Sequence, residues 1–191
     1  MVSEKSAIVF SKAEVELLQS SWHRVQLLSA GQVGKLIITK LINTRPDLAV
    51  YFKVDGVPPE EIARLSKISE HGERFTSTIG KMVQALNPST KGNESLQTLA
   101  QQFGQKHYVA QVDFSAANWL HVKHVTTEVI LSISTQQQGH TNDTKQQAEE
   151  RVWQKFMTVL VRDIKRGFIE TALSQKCSTE GQLVVSTKKI N

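Results

Sequence analysis

From Ser11 onward, apolar residues recur at steps of three and four, the spacing that lines them up along one face of a helix. Val15, Leu18, Trp22 and Val25 make the first such stripe. Ser11 followed by Glu14 reads as a capping box at its start, and Phe10 is placed to staple against Val15. A second helix is predicted over roughly 32–43, carrying Val33, Leu36, Ile37, Lys40 and Leu41. Pro46 ends it by disfavouring helical backbone at Arg45. A short turn then reaches Tyr51 and Phe52, and "VDGVPPEEIARL" is a loop leading into a helix start, punctuated by Pro58 and Pro59.

The next stripe holds Ile68, Phe75, Ile79, Met82 and Leu86, and His71 sits inside it, three residues after Ile68 and four before Phe75. Asn87-Pro88 closes this helix, and "NPSTKGNE" is a loop of small polar residues. Leu96, Leu99, Ala100 and Phe103 then run at helical steps into a second histidine, His107. A long helix is predicted over about 115–134 from Trp119, Val122, Val125, Val129, Ile130 and Ile133. "TQQQGHTNDTKQQ" has no apolar stripe and is expected to be a surface loop. The last helix is predicted over about 148–174, with Val152, Trp153, Phe156, Val159, Leu160, Asp163, Ile164 and Phe168, and the chain after Gln175 is expected to be mobile. No segment alternates long enough to build a sheet, and "GQLVV" has no second strand to pair with. The pattern therefore predicts one all-α domain over 11–175, an extension before it (1–10) and a flexible tail after it (176–191).

Composition narrows the reading. With 191 residues, 39% of them apolar, the chain can bury one real core, which excludes disorder of the whole chain. The net charge of +5 is scattered instead of forming a basic block with interleaved aromatics, so no nucleic-acid partner is expected. Cys177 stands alone, which excludes an intramolecular disulfide and fits a reducing compartment. No apolar run approaches roughly 18 residues and no signal peptide or lipidation motif is present, so a cytoplasmic protein without a membrane partner is expected.

The two histidines carry the chemistry. A buried imidazole with an unpaired nitrogen costs roughly 1 to 3 kcal/mol, so each ring needs a partner. For a single core histidine that partner is usually a carbonyl or a water. Two of them, each central in its own stripe, admit a shared one. Imidazole is a common axial ligand of haem iron, and a flat apolar macrocycle suits a pocket lined by Phe, Ile, Val and Met. His121 and His124 lie on the long helix beside Lys123 and His23 stands next to Trp22; all three are expected to be structural, and His140 falls in the polar segment.

At these residues the chain resembles the globin family. Pro46 followed by Phe52 is similar to the globin corner after the second helix, where the phenylalanine packs on the haem face. "EHGERF" resembles the distal segment, with His71 at the distal position and Phe75 one turn on, where Val or Ile is usual. "FGQKHYVAQV" is similar to the proximal segment of neuroglobin-like chains, which makes His107 the proximal ligand and Val112 a wall residue. "ERVWQKFMTVLVRDIKRGF" resembles the last globin helix, and Trp22 fits the tryptophan of the first. The likeness covers about 11–175. The interval between the histidines is longer than usual, with the surplus in "NPSTKGNE", where insertion is cheap. Matching "LAQQF" to the commoner pattern "LAxxH" would put Phe103 in the ligand's place, but that register leaves His107 unexplained.

The resemblance implies a globin fold of about seven to eight helices around haem b, with a pocket of Ile38, Phe52, Phe75, Phe103, Val112, Phe114 and Met157. It implies iron held by His107, whose second nitrogen donates to the carbonyl of Phe103 or Leu99 one turn earlier. Oxygen, carbon monoxide and nitric oxide are the implied ligands. Bulky Phe75, and Ile38 without a hydroxyl, favour a resting iron that His71 also binds, and with it redox, sensing or gas-scavenging work and an electron-transfer partner. Arg74 and Lys53 are placed to reach the haem carboxylates. A haem enzyme acting on nitric oxide, nitrite or peroxide shares every residue of this reading, and a haem-free signalling module on the same fold is the third.

Overall fold

The computed structural model describes residues 9–86, 92–112, 115–138 and 143–187, of which 92–94, 138 and 177–187 are described by backbone alone. Its elements are α1 (Lys12–Val25), α2 (Ala30–Thr44), a 3₁₀ helix (Pro46–Phe52), α3 (Pro59–Ile62), α4 (Ser66–Gln84), α5 (Gly92–Val109), α6 (Ala116–Gln138) and α7 (Asp143–Thr187). Among the described residues there is no strand, as the pattern predicts.

Local chemistry sets the starts. The Ser11 hydroxyl accepts from the Glu14 N–H at 3.2 Å while the Glu14 carboxylate accepts from the Ser11 N–H at 2.7 Å, the reciprocal box expected at α1. Phe10 and Val15 are both buried in the main core. Helix α2 begins before its apolar stripe does, because Ser29 and Gln32 form a second capping box.

The core is helix against helix. Trp22, Trp153 and Phe156 fill its centre, the two indole rings lying 6.0 Å apart. A polar network is enclosed there: Arg24 bonds Glu149 at 2.5 Å, both meet the Ser134 hydroxyl, and the Trp153 indole N–H donates to Ser21 at 2.8 Å. A smaller cluster of Ile38, Ile42, Ala49, Val54, Ile62 and Ile68 seats the 3₁₀ helix and Phe52 against α2 and α4.

Two pairs of helices cross backbone to backbone. A Cβ on Gly34 would stand 2.0 Å from the Gly72 carbonyl oxygen, so α2 and α4 meet at two bare glycines. On the other side of the molecule a Cβ on Gly104 would stand 2.0 Å from the Ile164 carbonyl oxygen, and one on Gly167 2.1 Å from that of Gln101, which clamps α5 to α7. These crossings fix where α4 and α5, the two histidine-bearing helices, lie.

The structure departs from the pattern at several helix ends, among them the start of α5 at Gly92, inside the segment "NPSTKGNE" expected to be loop. Most of "TQQQGHTNDTKQQ" is helical, as the end of α6 and the start of α7, with 139–142 outside the described residues. Gln and Lys form helices well without any apolar stripe, and Asp143 sits favourably at a helix N-terminus. Helix α7 also runs on to Thr187 instead of ending near 174, and no proline interrupts that stretch.

Candidate functional site

His71 stands on α4, on the turn beside the Gly34–Gly72 crossing, and His107 stands near the end of α5. Both rings line one cleft, together with Ile37, Ile38, Leu41, Phe52, Phe75, Phe103, Trp119 and Val122. The cleft holds about 80 Å³ of space, less than a cofactor site usually offers, so a macrocycle would enter it only as the walls part.

His107 is held on three sides. Its Nδ1 donates to the Phe103 carbonyl oxygen at 2.8 Å, one turn back as the resemblance implies. The Phe103 ring lies 4.3 Å from the imidazole on one side, and the edge of Trp119 meets it at 5.2 Å on another. With Nδ1 carrying the proton, Nε2 keeps the free lone pair, the tautomer a metal ligand needs. His71 is held loosely. It is exposed at the cleft, its ring meets the edge of Phe52 at 5.1 Å, and among the described residues it has no hydrogen-bond partner.

Both imidazoles are biased toward the neutral form. Desolvation lowers the pKa of His107, opposed only in part by the Phe103 carbonyl. Desolvation also lowers that of His71, and the positive charge of Arg74 and of His107 pushes the same way. Neutral imidazole is the form that binds metal.

The donor set decides which metal group fits. Among the described residues no group of three or more His, Cys, Asp or Glu side chains could hold a metal ion. Two imidazoles are too few for a bare structural zinc, which takes four ligands. They suit an iron whose equatorial positions a macrocycle already fills, and the aromatic and aliphatic walls suit the macrocycle.

Of the residues the resemblance singles out, Ile38, Phe52, Phe75 and Phe103 line this cleft with the two histidines. Met157 is buried one layer deeper, in an apolar pocket that shares Phe75, Phe103, Trp119 and Val122 with the cleft. Val112 is not brought to it. The chain turns at Gln111, in the left-handed region with φ 56°, and Val112 lies in a separate groove with Tyr108 and Phe168. Phe114 lies outside the described residues. Arg74 is exposed on α4 near His71, and the Lys53 carbonyl accepts from Lys67. His121 bonds Thr44 at 2.8 Å on the outer side of α6, and His124 faces a surface hollow with Glu128 and Glu150, so neither belongs to the cleft. His23 is exposed on α1, and His140 is outside the described residues.

Ile37, Leu41, Trp119 and Val122 line the cleft without having stood out in the sequence. Each was legible as part of an apolar stripe, but nothing in a stripe says which member faces a cavity instead of a neighbouring helix.

Residues 35–164 match the family Globin. The globin-related protein glb-13 of Caenorhabditis elegans is 20% identical over 161 residues, which is 84% of this chain and 53% of that protein, so the chain spans about half of that relative's length. Among solved structures, the globin-like protein Glb-12 from C. elegans matches with a TM-score of 0.69 and 21% identity, covering 86% of this chain and 91% of its own. The hexa-coordinate hemoglobin of Drosophila melanogaster matches with a TM-score of 0.65 and 18% identity, covering 79% and 93%. Among the described residues no single helix is long and apolar enough to cross a membrane.

Proposed function

Because the chain belongs to the globin family, we propose that it holds haem b between His107 and His71, with both imidazoles as axial ligands in the resting state, and binds oxygen or another diatomic gas when His71 lets go. The observation that carries this is the pair of imidazoles brought from α4 and α5 to one aromatic cleft, with no other metal-ligand set among the described residues. Bound haem would supply an iron that takes axial nitrogen ligands and small gases and that changes oxidation state.

The protein's own residues divide the work. Phe103 fixes the His107 tautomer through its carbonyl and, with Trp119, the plane of the ring. Among the described residues His71 has no hydrogen bond to break, so its ring is free to turn into the cleft or out of it. Phe52, Phe75 and Ile38 exclude water and offer bound gas no hydroxyl, which leaves His71 as the one polar side chain on that side of the cleft lining. Gas affinity is then scaled by the fraction of time His71 is away, which suits a redox or sensing role better than bulk oxygen storage.

The visible spectrum tests this. The ferrous protein without added ligand should show sharp, split bands, and His71→Leu should convert them to the single broad band of a five-coordinate iron. His107→Leu should lose most of the bound pigment. A protein purified from haem-supplemented cells with no Soret band would overturn the reading.

A further inference from the structure

A second cavity lies on the far side of α4 from the histidine cleft, between α1, the start of α2 and the second half of α4. It has about 350 Å³ of space and shares no lining residue with the cleft. Its walls include Val25, Leu28 and Val33, and its floor includes Trp22 and Thr76, each only 4% exposed.

The floor is incomplete. The Trp22 indole nitrogen and the Thr76 hydroxyl have no hydrogen-bond partner among the described residues, whereas the neighbouring Trp153 indole is satisfied by Ser21. An indole N–H can only donate, so what completes it must bring an acceptor. Gly80 contributes to the same wall, and a Cβ there would stand 3.1 Å from the indole nitrogen, so the bare glycine keeps this edge of Trp22 uncrowded.

The charge around the cavity has one sign. Lys81 lines it and no Asp or Glu does. The N-terminus of α2 reaches it through Ser29 and Ala30 and the C-terminus of α1 through Val25 and Gln26, so the two helix dipoles oppose one another there and Lys81 supplies the net charge. The Lys81 cation, two unpaired donors and an aliphatic wall select a small amphiphilic anion.

We infer that this cavity is a binding site for a small organic carboxylate, whose oxygens meet Trp22 and Thr76 and whose apolar body packs on Val25, Leu28 and Val33. Trp22 and Thr76 are closed to water as the cavity stands, so the occupant spreads the wall as it enters. The site is independent of haem, since none of its residues lines the histidine cleft.

Titration calorimetry with benzoate on the full chain as purified tests it, with benzyl alcohol and benzylamine as neutral and cationic counterparts. Benzoate should bind saturably at one site, benzyl alcohol more weakly and benzylamine not at all. Trp22→Phe removes the indole donor, along with part of the ring's volume, and should weaken benzoate about tenfold or more, the loss of one hydrogen bond to a charged acceptor. Lys81→Met, on the exposed rim, and Thr76→Val should weaken it in the same direction, which keeps the test sound if the tryptophan variant folds poorly. No saturable binding by the wild-type chain, equal binding of benzylamine, or benzoate binding unchanged in Lys81→Met and Thr76→Val would overturn the assignment. The visible spectrum of the same samples reports separately on the haem reading.

Discussion

Gly34 and Gly72 touch through their backbones: a Cβ added to Gly72 would stand 2.5 Å from the Gly34 carbonyl carbon, and His71 is the residue just before it on α4. The crossing that lets two helices approach so closely therefore also sets how far the His71 ring reaches into the cleft.

A methyl group at either glycine must push α2 and α4 apart. Gly72→Ala should destabilise the fold by about 1 to 3 kcal/mol, as overpacking does, and should withdraw His71 from the cleft. Chemical denaturation reads the first effect. The visible spectrum of the haem-loaded variant reads the second, as a gain of the five-coordinate form.

Trp119 meets His107 edge-on at 5.2 Å. Aromatic pairs of this kind are worth about 0.5 to 1.5 kcal/mol beyond their burial. Trp119→Leu should leave the fold in place and speed haem loss to an acceptor protein by about two- to tenfold, the rate change those energies correspond to. A rate equal to the wild type would remove Trp119 from the site.

The Arg24–Glu149 pair is nearly enclosed, with side-chain exposures of 14% and 4%. Arg24→Met leaves the Glu149 carboxylate buried without its cation and should cost about 3 to 5 kcal/mol. Arg24→Met combined with Glu149→Leu should recover much of that loss. Denaturant midpoints of the two variants decide it.

Glu14 predicts a pH dependence. Burial acts to raise the pKa of its carboxyl, but the hydrogen bond from Lys155 and the bond from the Ser11 N–H outweigh it, so the folded value lies below the ordinary 4.5. A folded pKa below the unfolded one stabilises the protein above the unfolded value, and that contribution is lost as the pH falls through the folded one. Glu14→Gln can keep the capping box while removing the charge. It should lower stability at neutral pH by about 0.5 kcal/mol, the size expected of a partly exposed pair, and the difference from wild type should close as the pH drops well below 4.5. A difference that stays constant with pH would assign the effect to the cap alone.

Much of the fold was legible because its signals are local. The stripe from Val15 to Val25, the Ser11–Glu14 box and the break at Arg45-Pro46 each depend on a few neighbouring residues, and each appears in the structure. The polar flank of α6 and α7 was not legible from hydrophobic spacing, since a helix that leaves the core needs no stripe to persist. Val112 was misplaced for a related reason. Its position follows from the left-handed turn at Gln111, which no residue type there announces.

By itself the sequence determined that the chain is helical, where most helices begin, and that His71 and His107 each stand among apolar residues one helical turn apart. The tertiary structure alone decided that these two rings share a cleft, that Trp119 and Val122 join them and that Val112 does not. Periodicity fixes which face of a helix is apolar, but which faces meet depends on contacts between residues far apart in the chain, here the bare-backbone crossings of Gly34 with Gly72 and of Gly104 with Ile164.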